Sequence, residues 1–113
     1  MLGQLKKDLL ALQNKEKAVI LSRFFKTGKG EYGEGDIFLG ITVPQQRSIA
    51  KKYPHLKLSD IERLLTSKIH EERLIGLLIL VEQFKKGNEK EKKAIFDFYL
   101  RHTAHINNWD LVD

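Results

Sequence analysis

LSDIERLLTSKIHEERLIGLLILVEQFKK, running from Leu58 to Lys86, is the stretch on which the fold turns. Ser59 and Glu62 have the spacing of a capping box, in which the serine hydroxyl accepts from a first-turn N–H and the glutamate reaches back to the cap. They predict a short helix that runs through Leu65. Ile69 to Lys86 predicts a long helix, apolar enough to be buried, with Gly87 as its stop. A short capped helix, a tight turn and a longer apolar helix together form one helical hairpin.

The same punctuation continues on both sides. Leu2, Leu5, Leu9 and Leu12 recur at three- and four-residue spacing and predict a first helix. Asn14 is placed to cap a second, which carries Ala18, Val19, Leu21, Phe24 and Phe25. A glycine-rich loop follows, from Thr27 to Gly40. Thr42-Val43-Pro44 opens a third helix, with Pro44 in the first turn where a missing N–H costs nothing, and it ends near Tyr53-Pro54. Asn88-Glu89-Lys90-Glu91 is another capping box and opens a helix to about Ala104. The one strand-like run, Phe38 to Val43, is short and reads as a loop that packs apolar residues between helices. The expected fold is therefore all-α, an α-solenoid of HEAT-like helical repeats, with the alternative of an irregular helical bundle. Residues 1–113 are expected to be the N-terminal part of one such domain, with no second domain.

Composition bounds the function. A content of 42% hydrophobic and 31% charged residues is that of a soluble globular chain. Cysteine is absent, which excludes disulfides and thiolate metal sites. The longest apolar run, Leu77 to Val81, is too short to span a bilayer, and the N-terminus lacks a signal-peptide core. A cytoplasmic protein with no membrane partner is expected. The net charge of +5 favours polyanion partners, nucleic acid above all.

Gly28-Lys29-Gly30-Glu31-Tyr32-Gly33 matches G-x-G-x-x-G literally, but no strand precedes it and no helix start follows. It reads as a surface loop whose Lys26 and Lys29 are placed to touch a phosphate. His102 and His105 are two ligands without a third, so no metal site is expected, and helix-end histidines are the better reading. His70, beside Glu71 and Glu72, reads as a local helix-start residue.

The chain ends on Asn107-Asn108-Trp109-Asp110-Leu111-Val112-Asp113. The asparagines suit a helix cap, and Trp109 and Asp113, four apart, then share a face. This last helix stops after about one turn. The expectation is a longer protein cut just after a candidate active-site pair, with self-association through the truncated end. An aspartate in a first turn stays ionised beside the positive end of the helix dipole. With an indole next to it, it forms a receptor for a flat cation. The competing reading is a tryptophan that anchors an inter-repeat core.

Three stretches, Phe38-Leu39-Gly40-Ile41-Thr42-Val43-Pro44, Ile69-His70-Glu71-Glu72-Arg73-Leu74 and Asn108-Trp109-Asp110-Leu111-Val112-Asp113, occur in the order and spacing of a known family. The chain resembles the bacterial DNA alkylation repair proteins, the AlkD-like DNA glycosylases. The resemblance runs over essentially the whole chain and about half of a family member, by the usual size of such domains. It implies a HEAT-like solenoid that holds duplex DNA in a basic groove and removes purines alkylated at N3 or N7. It implies that Trp109 is an aromatic wall of the lesion site and Asp113 the catalytic carboxylate. Arg47, Lys51 and Arg101 join Lys26 and Lys29 as expected phosphate contacts. No cofactor is expected, because a cationic purine is already a good leaving group. The resemblance also implies an arginine and a second tryptophan beyond Asp113, so this chain alone is expected to be inactive. Phe24 stands where some relatives carry a tyrosine. Two further readings remain open: a non-catalytic HEAT-like DNA-binding protein and a HEAT-like protein-interaction scaffold.

Overall fold

The computed structural model describes residues 1–24 and 35–102, and within them all regular structure is helical. Six helices follow in order: α1 (Leu2–Ala11), α2 (Lys15–Phe24), α3 (Val43–Lys51), α4 (Leu58–Leu65), α5 (His70–Lys86) and α6 (Glu89–Arg101). Extended backbone pairs at one isolated parallel bridge among the described residues, Ile37 with Ile69. The stretch Phe38 to Thr42 is a loop with Phe38, Leu39 and Ile41 buried, as its apolar content required, and Val43 opens α3.

The caps explain the boundaries. Thr42 accepts from the Gln45 N–H while the Gln45 side chain accepts from the Thr42 N–H, and Pro44 sits in the first turn of α3. Asn88 and Glu91 do the same for α6. The Asn14 side chain accepts from the Lys17 N–H and starts α2. Gly87 caps the end of α5.

The capping box expected from Ser59 and Glu62 does not form. α4 begins at Leu58 with Lys57 as its cap and no side-chain cap bond. Leu58 packs against the core, which draws the helix start back by two residues and places Ser59 inside the first turn. α3 likewise ends at Lys51, short of Tyr53.

α5 is the axis of the molecule: α3, α4 and α6 pack on it, and α1 packs on α3. Its Ile75, Ile79 and Leu80 meet Ile61, Leu64 and Leu65 of α4, Ile49 and Ala50 of α3, and Ile95 and Phe98 of α6 in one buried cluster. Fully buried side chains of this size each contribute about 1.5–3 kcal/mol relative to exposure. Gly76 lets α4 and α5 approach closely, since a Cβ there would lie 2.9 Å from the Leu64 Cβ. Successive helices packed in this way are compatible with a helical-repeat solenoid. None of the described helices is long and apolar enough to cross a membrane.

Candidate functional site

Trp109, Asp113, Lys26 and Lys29 lie outside the described residues. The other sequence-predicted contacts can be placed. α3 buries Gln46, Ile49 and Ala50, so Arg47 and Lys51, four apart, share its opposite, exposed face. Arg101 is exposed in the last turn of α6, and no described contact joins it to Arg47 or Lys51. None of these three cations is engaged in an ion pair among the described residues. His102 is the C-cap of α6, tilted against Phe98 and 3.8 Å from Glu62, a helix-end residue as its position suggested. No group of three or more metal-binding side chains assembles among the described residues.

Beside α3 lies a polar joint that the sequence did not announce. Two stretches far apart in the chain, 36–41 and 68–73, are locked together residue by residue. The Ile37 N–H donates to the Lys68 carbonyl and the His70 N–H returns to the Ile37 carbonyl, at 3.0 and 2.8 Å. Phe38 stacks on the His70 ring with centroids 4.6 Å apart. The Arg73 guanidinium donates to both oxygens of Asp36 at 2.7 Å and to the Ser67 carbonyl at 2.8 Å. Nδ1 of His70 lies 3.5 Å from the same aspartate. His70 is thus the first residue of α5, but a buried one with long-range contacts rather than a local cap.

Glu71 is the centre of this joint. It is fully buried, and its carboxylate accepts from the backbone N–H groups of Leu39, Gly40 and Ile41 at 2.9–3.3 Å. A buried carboxylate is tolerable only when such donors replace its hydration. Hydrogen bonds to a charged group contribute about 1.5–3 kcal/mol each, so the loop is held firmly. Gly40 has φ +81, and a Cβ there would sit 2.0 Å from the Asn14 carbonyl oxygen and 2.8 Å from the Ala18 nitrogen. The Leu39 carbonyl accepts from the Asn14 N–H at 2.8 Å. The loop thereby seats the first turn of α2 on one side and opens α3 at Thr42 on the other. The run of charges Glu71-Glu72-Arg73 at the head of an apolar helix was the available signal. Its partners lie some thirty positions upstream, where local pattern does not reach.

Between α2, this loop, α3 and α5 is a cavity of about 380 Å³, lined mainly by apolar groups of Ile20, Leu21, Phe38, Ile41, Val43 and Leu74, with Lys17 also on its wall. On the far side of α3, the Tyr53 hydroxyl donates to Asp8 of α1 at 2.6 Å. That bond first, then the Gln4 amide and the charge of Lys52, holds the Asp8 carboxyl below its ordinary pKa, and the same bond pushes the Tyr53 hydroxyl up.

The described side chains thus give a cationic face on α3 and a rigid joint behind it, but not the tryptophan–aspartate pair. No curated protein and no solved structure matches the chain. A model of the family described as DNA alkylation repair enzyme matches residues 5–113, nearly the whole length, and the chain belongs to that family.

Proposed function

We propose that this DNA alkylation repair protein acts as a glycosylase, hydrolysing the N-glycosidic bond of N3- or N7-alkylated purines in duplex DNA. The observation that carries the reading is that the family match extends through Asp113 and so includes Asn108-Trp109-Asp110-Leu111-Val112-Asp113. Alkylation at N3 or N7 leaves the base cationic, so no strong general acid is needed. What must be stabilised is the oxocarbenium-like sugar as the bond breaks. Asp113 is the fixed carboxylate that does so and orients the attacking water. The Trp109 indole holds the cationic sugar and base by its face. The exposed cations Arg47, Lys51 and Arg101 support the reading as phosphate contacts, together with Lys26 and Lys29. Residues 1–113 then form the N-terminal part of a HEAT-like domain.

The test is release of free methylated base from alkylated duplex DNA by the complete product of the gene and by its Asp113→Asn variant. The expected result is loss of base release with DNA binding retained or improved, because the variant removes a negative charge from the groove. Unchanged release by Asp113→Asn would overturn the mechanism. No release by the unaltered protein, despite DNA binding that weakens steeply with salt, would favour a non-catalytic binder.

A further inference from the structure

We propose that Glu71 is a positioning residue: through the 39–41 loop it sets where α2 stands, and so where the α2 cations meet DNA. The DNA half of this proposal rests on the reading given above; the positional half does not. α2 carries Lys15, Lys17 and Arg23, all exposed, yet none of its ten residues is buried. A helix without buried side chains is not located by a core. Among the described contacts, one grip on α2 lies at its first turn, by the Asn14 N–H on the Leu39 carbonyl and by Gly40 against Asn14 and Ala18; Ser22 and Phe24 make further contacts near its other end. Leu39 and Gly40 have their own N–H groups on Glu71, in the fully buried head of α5. Position therefore passes from the rigid axis α5, through one carboxylate and two peptide units, to α2. Ile41 takes the third bond and leads into Thr42, so the same carboxylate also fixes the start of α3 and its Arg47–Lys51 face.

The chain has no cysteine, so Glu16→Cys with Lys86→Cys gives one spin-label pair between the exposed surfaces of α2 and α5. Pulsed electron resonance on this pair is expected to give one narrow distance distribution. Glu71→Gln replaces one acceptor oxygen by a donor that opposes the loop amides, and is expected to broaden that distribution while circular dichroism keeps its helical form. An unchanged, narrow distribution in Glu71→Gln would overturn the proposal.

Duplex DNA binding supplies the second readout. Arg23→Ala is expected to weaken binding and to lower the slope of log K against log salt by about 0.9 for the phosphate contact it removes. In the Glu71→Gln background the same change is expected to cost nothing, because Arg23 is already misplaced. A stability defect alone would leave the two effects additive, and additivity with a broadened distance would overturn the DNA half. If the unaltered protein shows no salt-sensitive DNA binding, the proposed function falls, while the distance measurement still decides whether Glu71 sets α2. Should Glu71→Gln not fold, Glu71→Asp keeps the charge and draws it back by one methylene, and the same readouts with the same outcomes apply.

Discussion

α2 and α4 are amphipathic helices of similar length, ten and eight residues, with opposite fates. α4 buries Ile61, Leu64 and Leu65 completely or nearly so. α2 buries nothing and leaves Ile20 65% and Phe24 75% exposed. Apolar content is similar, but α4 sets Leu58, Ile61, Leu64 and Leu65 on one face while α2 runs Ala18 to Leu21 together around its circumference, and the two helices meet different surfaces. α4 folds back on α5 where Gly76 opens a groove for Leu64, so side chains locate it. α2 meets a loop whose backbone is held by Glu71, so peptide groups locate it. An apolar stripe marks a capacity for burial; the surface it meets decides whether the capacity is used.

The comparison breaks most visibly on the α4 side. Leu64→Ala empties a fully buried site on α5 and is expected to cost about 2–5 kcal/mol, through lost burial and the cavity left behind. Denaturant unfolding reads this as a lower midpoint at constant slope, and a cost below about 1 kcal/mol would mean that α4 is not held by side-chain packing. On the α2 side the largest effect belongs to a residue with no side chain. Gly40→Ala places a methyl against the Asn14 carbonyl and forces an L residue to φ +81. The left-handed conformation alone costs about 1–2 kcal/mol, and the displaced first turn of α2 adds to it. A loss smaller than that in the same titration would mean that the loop–α2 contact gives way easily.

How far the molecule was legible follows the same division. The caps at Asn14, Thr42 and Asn88 were readable because a cap acts within three residues of itself. The burial of α5 was readable only in part: within the apolar run Leu77 to Val81, Ile79 and Leu80 are buried, Leu77 and Leu78 are half-buried and Val81 is exposed. Ser59 misled because the pull on Leu58 comes from the core, and no local pattern records that pull. The charges from His70 to Arg73 were visible, but their burial was not, for the same reason: Asp36 and the amides of 39–41 are distant partners. Two of the stretches that carry the family resemblance, 38–44 and 69–74, turn out to touch across this joint. The sequence showed both and not that they meet. Of the candidate site, Arg47 and Lys51 were legible as basic residues of the third helix but not as one exposed face, while Trp109 and Asp113 rest on the resemblance and the family match.

α1 stands between the two extremes, with Leu5 and Leu9 buried, an ion pair from Lys6 to Glu72 and a hydrogen-bonded tether from Asp8 to Tyr53. Tyr53→Phe removes the tether and leaves the packing. The Asp8 carboxyl is held below its ordinary pKa chiefly by this bond, so the stabilisation is complete above the unfolded value of about 4 and is lost as pH falls through the lower folded value. The Tyr53 hydroxyl is raised, so its share is complete below about pH 10 and is lost as pH rises through the higher folded value. The melting temperature of the parent is therefore expected to exceed that of Tyr53→Phe by a few degrees at neutral pH, with the gap closing toward both extremes. No gap at neutral pH would mean that the tyrosine stabilises by its ring alone, and a gap independent of pH that its hydroxyl does not act through the ionisation of Asp8.

The smallest expected effect sharpens the comparison most. Ile20→Ala shortens the most obvious apolar side chain of α2, and by sequence pattern it looks as costly as Leu64→Ala. Ile20 is 65% exposed, however, and only edges the apolar cavity beside the loop. Substitution at such a position is expected to change stability by no more than about 0.5 kcal/mol in either direction. The gain in helix propensity of alanine over isoleucine works against the small area lost. A cost of about 2 kcal/mol, in the range of buried aliphatic truncations, would show that the side chains of α2 hold it in place. Glu71 would then have no positional work left to do on that helix. A near-zero cost beside a broadened α2–α5 distance in Glu71→Gln leaves the backbone joint as what locates α2.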